Sequence, residues 1–119
     1  MIQKLSIVIP FYNEVDSLAE LYTRVSRSAD TCVSAGQISD WELWLIDDGS
    51  TDGSAEIAER FTASDSRVGL VVFRKNRGKA AALQAGFSRA SGDVIITMDA
   101  DLQDDPDEIP RFLEQLEQG

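Results

Sequence analysis

The chain has 119 residues, of which 43% are hydrophobic and 27% charged, with 21 acids against 11 bases for a formal net charge of −10. That length suits one domain with a real core, and the composition argues against disorder. The acidic balance disfavours nucleic-acid binding through a basic surface. Histidine is absent, which removes His-based catalysis and His ligation within the chain, and the lone Cys32 removes an internal disulfide and suits a reducing compartment. Met1-Ile2-Gln3-Lys4 leads straight into an apolar run and lacks the shape of a signal peptide. No apolar run approaches the ~18 residues of a membrane span.

Leu5 to Ile9 reads as a buried strand ended by Pro10, and Phe11-Tyr12-Asn13-Glu14 as the loop after it. Asp16 or Ser17 can cap a helix with Leu18, Leu21, Tyr22 and Val25 at helical spacing. That helix is expected to fade from Ser26, with a loop over Gly36 to Asp40. Trp41 to Ile46 reads as the second strand, running into the turn-rich cluster Asp47-Asp48-Gly49-Ser50-Thr51-Asp52-Gly53. Thr51 or Asp52 then opens a helix carrying Ala55, Ile57, Ala58 and Phe61. Val68 to Phe73 is the third strand, Arg74 to Lys79 a basic loop, and Ala80 to Ala90 an Ala- and Leu-rich helix closed by Gly92.

The fourth strand, Val94 to Met98, is rich in β-branched residues, as in a strand buried on both faces. It stops at Asp99-Ala100-Asp101. Two carboxylates one residue apart at a strand end form a concentrated negative site. Mg²⁺ and similar hard cations take such oxygen ligands together with substrate phosphates. The plainer reading of a bare D-x-D is a solvated acidic loop. Asp105-Pro106-Asp107-Glu108 has the pattern of a capped helix start, and Pro110 predicts that the helix begins irregularly.

The order β-α-β-α-β-α-β-α implies an α/β, three-layer, Rossmann-like parallel sheet. With strand order 3-2-1-4 the ligand crevice lies between the first and fourth strands, at their carboxyl ends. Tyr12 and Glu14 would then sit beside Asp99 and Asp101. Asp47 or Glu14 could accept N–H donors of a nucleobase, and Tyr12 could line or stack on it. Lys79 or Arg77 could meet phosphate at the start of the helix after Gly78. Each has a plainer alternative: Asp47 and Asp48 as turn residues, Tyr12 as a packed aromatic, the basic loop as solvated surface. Gly78-Lys79 is followed by Ala80, with no glycine at P-loop spacing, and no G-x-G-x-x-G follows the first strand.

Four segments in this order carry a resemblance: Ile7-Val8-Ile9-Pro10-Phe11-Tyr12-Asn13-Glu14, Asp47-Asp48-Gly49-Ser50-Thr51-Asp52, Asn76-Arg77-Gly78-Lys79 and Met98-Asp99-Ala100-Asp101-Leu102-Gln103. Nearly the whole chain resembles the GT-A nucleotide-binding half of family 2 glycosyltransferases. D-A-D-L-Q followed by D-P-D-E-I-P points to the dolichol- or polyprenyl-phosphate sugar transferases among them. The resemblance implies an inverting, metal-dependent transferase that moves a sugar from a UDP- or GDP-linked donor to a lipid phosphate. It implies nucleotide contacts at Pro10, Tyr12, Glu14, Asp47, Lys79, Asp99 and Ala100. It implies Mg²⁺ or Mn²⁺ at Asp99, Asp101 and Gln103, with Asp99 and Asp101 as the catalytic pair. A complete domain of that kind is about twice as long. Residues 1–119 are therefore expected to be the donor half, with the acceptor side, any general base and any membrane segment elsewhere, and with little activity alone. The whole protein is expected at the cytoplasmic face of a membrane, and the open edge beyond the fourth strand invites homo-oligomers. The competing readings are a receiver-like signalling module and a D-x-D phosphatase. Both need their key aspartate after the first strand, where this chain has Phe11-Tyr12-Asn13-Glu14.

Overall fold

The structure, a computed structural model, describes residues 2–118. Four parallel strands, β1 (Ile2–Phe11), β2 (Ile38–Asp47), β3 (Val68–Val72) and β4 (Val94–Thr97), form one sheet in the order β3-β2-β1-β4. This is the expected 3-2-1-4 arrangement. A receiver-like sheet instead sets its first strand beside its third. β1 sits in the middle, with Leu5, Ile7, Val8 and Ile9 fully buried.

Helices α1 (Leu18–Ser34), α2 (Ser54–Ser64) and α4 (Ile109–Gln118) share the larger core, built on Leu5, Ile7, Leu43, Leu45 and Trp41. Helix α3 (Lys79–Arg89) covers β1 and β2 on the other face, where Val8, Ile46 and Ala82 form a smaller core. Gly86 makes this contact close. A Cβ there would lie 2.3 Å from Val8 Cγ1.

Three boundaries and the burial of one strand differ from the expectations. β1 does not stop at Pro10, which pairs in register with Ile46. Its pairing with β4 ends at Val8, so Pro10 sits where no N–H is needed on that side. α1 does not fade at Ser26 but continues to Ser34, because Ser28, Ala29 and Cys32 extend the buried face set by Leu21 and Val25. The loop expected over Gly36 to Asp40 is already strand from Ile38, which pairs with Ile2. β4 is not buried on both faces. Ile95 is 41% exposed, Thr97 is exposed too, and α3 lies over β1 and β2. β4 has no second strand neighbour among the described residues.

The entry to α4 is irregular, as Pro110 predicts. A 3₁₀ turn over Pro106–Glu108 precedes the helix, and Asp105 caps it by accepting the Asp107 N–H. Glu108 turns towards Arg111 instead of closing a capping box. Arg24 of α1 reaches across to Asp105 at 2.5 Å.

A polar knot joins α1, β2 and the approach to β3. Asp65 accepts hydrogen bonds from Tyr22 Oη, Arg67 Nε and the Arg67 backbone N–H. Arg67 also bonds Asp30, which accepts the Trp41 indole N–H. The Arg67 hydrogen bonds hold the Asp65 carboxyl down at about 2, against the opposing push of burial. Burial first, then the bond to Asp65, pushes the Tyr22 phenol up to about 12.

Two predictions follow from this packing. Gly86→Ala improves helix propensity by about 1 kcal/mol yet lowers stability by about 1–3 kcal/mol through overpacking. In urea unfolding the loss should shrink in a Val8→Ala background. Asp65 has a depressed folded-state pKa, so its stabilisation is present above the ordinary carboxylate value of 3.8 and is lost as pH falls towards about 2. Asp65→Asn should flatten the stability profile across that window, read from urea midpoints at stepped pH.

Candidate functional site

Because all strands are parallel, their carboxyl ends share one edge of the sheet. A cleft of about 160 Å³ opens there, lined by Pro10, Phe11, Tyr12, Asp48, Lys79 and Asp99. Pro10 and Phe11 are the last residues of β1, Lys79 is the first of α3, and Asp99 follows β4. The side chains come from four separate stretches, and each loop is fixed by hydrogen bonds from another loop.

The first loop turns at Asn13, whose φ of 54° is in the left-handed region that asparagine tolerates. Its amide oxygen accepts the Thr51 N–H, and its own N–H donates to Ser50 Oγ. The Glu14 N–H donates to Ser54 Oγ, and Val15 N–H to Asp52. So Ser50 to Ser54, after β2, act as a template for residues 13–15. Helix α2 begins after Gly53, later than the sequence suggested, because Asp52 turns to the Ser54 N–H and hydroxyl.

Asp47 and Asp48 have separate tasks. Asp47, 1% exposed, ends β2 and accepts the Ser50 N–H at 2.8 Å, closing the turn. Asp48, 6% exposed, accepts the backbone N–H groups of Arg77 at 2.7 Å and Gly78 at 3.1 Å. That grip sets where α3 starts. Gly49 completes it, with φ 81° and its missing Cβ only 2.6 Å from the Asn76 backbone nitrogen. Of the two aspartates, Asp48 lines the cleft.

The acidic loop is ordered from within and from Ser17, just before α1. Asp104 accepts the Asp99 N–H at 2.8 Å, and Asp101 accepts the Gln103 N–H at 3.1 Å. Leu102, between them, has φ 66°. Gln103 therefore meets Asp101 through its backbone, and its exposed amide has no hydrogen-bond partner among the described residues. Ala100 is buried, and its carbonyl accepts from Ser17 Oγ at 3.0 Å. The same hydroxyl lies 2.8 Å from Glu14 Oε2. Ser17 thus links the first loop to the acidic loop, a role hidden behind its expected use as a helix cap. It caps no backbone N–H of α1.

Across the cleft, Lys79 Nζ meets Asp99 Oδ1 at 2.7 Å. Asp99, then Asp104 and Asp101, push the Lys79 ammonium pKa up. Tyr12 is 46% exposed, an aromatic face open to a ligand. Arg77 instead lies over the Phe73 ring, 5.2 Å from its centroid. No three carboxylate or thiol side chains converge as a metal cage among the described residues. Asp99 and Asp101 each use one named oxygen, Oδ1, within the protein. Two carboxylates plus ligand phosphates and water fit the way Mg²⁺ is usually bound.

A larger cleft of about 460 Å³ lies towards the opposite edge, between Lys4, Glu42, Trp41 and Arg67. Its two cations and Glu42 are already paired, and Asp40 accepts the Trp41 N–H. Lys4 is 3.3 Å from Glu42, which also accepts from Ser6 and the Ser91 N–H, and Arg67 is held by Asp30 and Asp65. No loop chemistry converges there.

The profile described as glycosyl transferase family 2 matches residues 6–119. The chain is 47% identical over 119 residues to undecaprenyl-phosphate 4-deoxy-4-formamido-L-arabinose transferase of Salmonella typhimurium, covering 99% of this chain and 35% of that protein. It spans about a third of the length of the curated relatives it matches. Among solved structures, a mannosyltransferase from Pyrobaculum calidifontis in complex with GDP-Man and Mn²⁺ superposes with a TM-score of 0.68 at 26% identity, over 82% of this chain and 27% of that one. Glucosyl-3-phosphoglycerate synthase from Mycobacterium tuberculosis in complex with UDP gives 0.70 at 28% identity, over 98% and 41%.

The hydrogen-bond wiring makes one clear prediction. Ser17→Ala removes the link between Glu14 and Ala100, at a cost of about 0.5–1.5 kcal/mol. Amide exchange should rise over residues 99–104 and stay unchanged in β1 and β2.

Proposed function

The chain belongs to glycosyl transferase family 2, and on that premise we propose that residues 1–119 form the donor-binding part of an inverting sugar transferase. The observation that carries this reading is the cleft where Tyr12, Lys79 and Asp99 meet at the carboxyl edge of the sheet. An open aromatic, a cation and a carboxylate in one place match the parts of a nucleotide-linked sugar: base, phosphates and metal.

In this reading Pro10 and Tyr12 line the nucleoside position, and Glu14 and Asp47, neither of which lines the empty cleft, supply carboxylates to the base through the oxygens that Ser17 and Ser50 do not use. Ala100 fixes the chain path beneath the diphosphate, through its carbonyl bond to Ser17. Asp99 and Asp101 are the catalytic pair, holding Mg²⁺ or Mn²⁺ with help from Gln103. When bound, such a cation supplies positive charge that stabilises the departing nucleoside diphosphate. The protein's own part is positioning. Asp48 and Ser17 keep the basic and acidic loops in place before the donor arrives, so little ordering is left to pay for on binding. The acceptor oxygen attacks the anomeric carbon from the side opposite the diphosphate, and the bond to the diphosphate oxygen breaks with inversion. A lipid phosphate is already ionised near neutral pH and asks little of a general base.

The names of the relatives support a polyprenyl phosphate as acceptor, and the nucleotides in the solved neighbours support a UDP- or GDP-linked donor. The acceptor would meet the remainder of a longer protein working at the cytoplasmic face of a membrane. No described helix is long and apolar enough to cross one. Two copies would pair through the edge of β4, which has no second strand neighbour among the described residues.

Calorimetric titration tests the reading. UDP or GDP should bind in the presence of Mn²⁺, and Asp101→Ala should weaken that binding at least about tenfold, equal to 1.4 kcal/mol. Absence of binding by both nucleotides at millimolar concentration, or an unchanged affinity in Asp101→Ala, overturns it.

A further inference from the structure

Lys79 has two possible partners in the proposed site and can serve only one at a time. Its ammonium is now against Asp99, one of the two carboxylates assigned to the metal. Its backbone, in contrast, is at the start of α3, the place expected for a ligand phosphate. We propose that Lys79 is an exchangeable counter-ion: it neutralises Asp99 while the site is empty, and moves to the donor diphosphate when a divalent cation takes its place. This rests on the reading of Asp99 and Asp101 as the cation site and adds an order of events to it.

Three observations support the exchange. First, the acidic loop needs a counter-charge when empty. Asp99, Asp101 and Asp104 are held within six residues, with Asp104 bonded to the Asp99 N–H and Asp101 to the Gln103 N–H. Lys79 Nζ is the one cation in salt-bridge contact with this loop among the described residues.

Second, the base of Lys79 is fixed while its tip is free. Asp48 grips the N–H groups of Arg77 and Gly78, so the Cα of the next residue has little freedom. The Lys79 side chain itself is 62% exposed and has Asp99 as its sole ion-pair partner among the described residues. A four-carbon stem on a fixed base can swing without moving the loop.

Third, Lys79 and Asp99 line the same cleft as Tyr12. A diphosphate lying there is within reach of a lysine rooted at a helix start. An ammonium and a divalent cation repel one another, so both cannot remain on Asp99. The cation that displaces Lys79 also brings the phosphates that receive it. Metal and nucleotide therefore favour each other's binding, and by linkage the effect is reciprocal.

This predicts opposite signs for two ligands in one variant. Lys79→Gln should bind Mn²⁺ alone more tightly, by about fivefold, because the competing charge is gone. It should bind UDP or GDP at saturating Mn²⁺ about tenfold more weakly, because a charged phosphate contact is gone. Lys79→Arg, which keeps the charge, should stay close to wild type for Mn²⁺ alone. Electron paramagnetic resonance of free Mn²⁺ measures the first quantity and calorimetry the second. Unchanged or weaker Mn²⁺ binding in Lys79→Gln, with saturable binding in wild type, overturns the exchange and leaves the site reading intact. If wild type takes up no Mn²⁺, or Asp101→Ala takes up as much as wild type, the cation site fails and the exchange with it.

Discussion

The fold depends on the parallel pairing of β1 with both of its neighbours. A parallel pair cannot be closed by a tight hairpin and needs a crossover, so every strand here leaves the sheet at the same edge. That single constraint gathers residues 10–14, 47–53, 74–79 and 98–104 in one region, although they are distant in sequence. β1 is the pivot because it is paired on both sides and its core residues are fully buried. Its own exit loop is thus flanked by the exits of β2 and β4.

Pairing brings the loops near each other, and polar side chains then fix them. Asn13, Ser50, Asp52 and Ser54 join the first two exits. Asp48 joins the second to the third. Ser17 joins the first to the fourth, and Lys79 the third to the fourth. Of these links, only the Lys79 contact joins two formally charged, well-exposed groups. Surface ion pairs contribute little to stability, so it is the least costly link for a ligand to break. The part-buried links from Asp48, which end on backbone N–H groups, are ones a ligand would leave alone.

Much of this was legible in the sequence, for identifiable reasons. Short apolar runs before Pro10, Asp47 and Asp99 marked three of the strands, and their alternation with helices implied a parallel sheet; the order 3-2-1-4 was the doubly wound arrangement expected for it, and the structure has that order. What escaped notice lacked a hydrophobic signal. The second half of α1 packs through Ser28, Ala29 and Cys32, small residues that do not register as an apolar stripe. The start of β2 carries exposed Ser39 and Asp40 around a buried Ile38. The exposure of Ile95 was invisible because β-branched residues suit an edge strand as well as a central one. Within the site, the strand-end argument placed Tyr12, Lys79 and Asp99 on one edge, and they line one cleft. It named Asp47 for the base, whereas Asp48 is the one that lines the cleft and Asp47 closes the turn, because which of two adjacent carboxylates faces the cleft depends on how the chain turns after its last paired residue. Ser17 escaped because a serine before a helix already has a sufficient explanation.

Gly49 bears on how this surface can change. Its backbone passes so close to Lys75 and Asn76 that no side chain fits between them, and its positive φ would strain any replacement. The exits of β2 and β3 are therefore in direct main-chain contact, with no adjustable spacer. Inserting or deleting residues in either would shift the other, and with it the first turn of α3. A protein engineer seeking to reshape this cleft would find the loop spacing closed to revision. Variation would have to come from what the fixed frame displays, at positions such as Tyr12, where the side chain projects and the backbone need not follow.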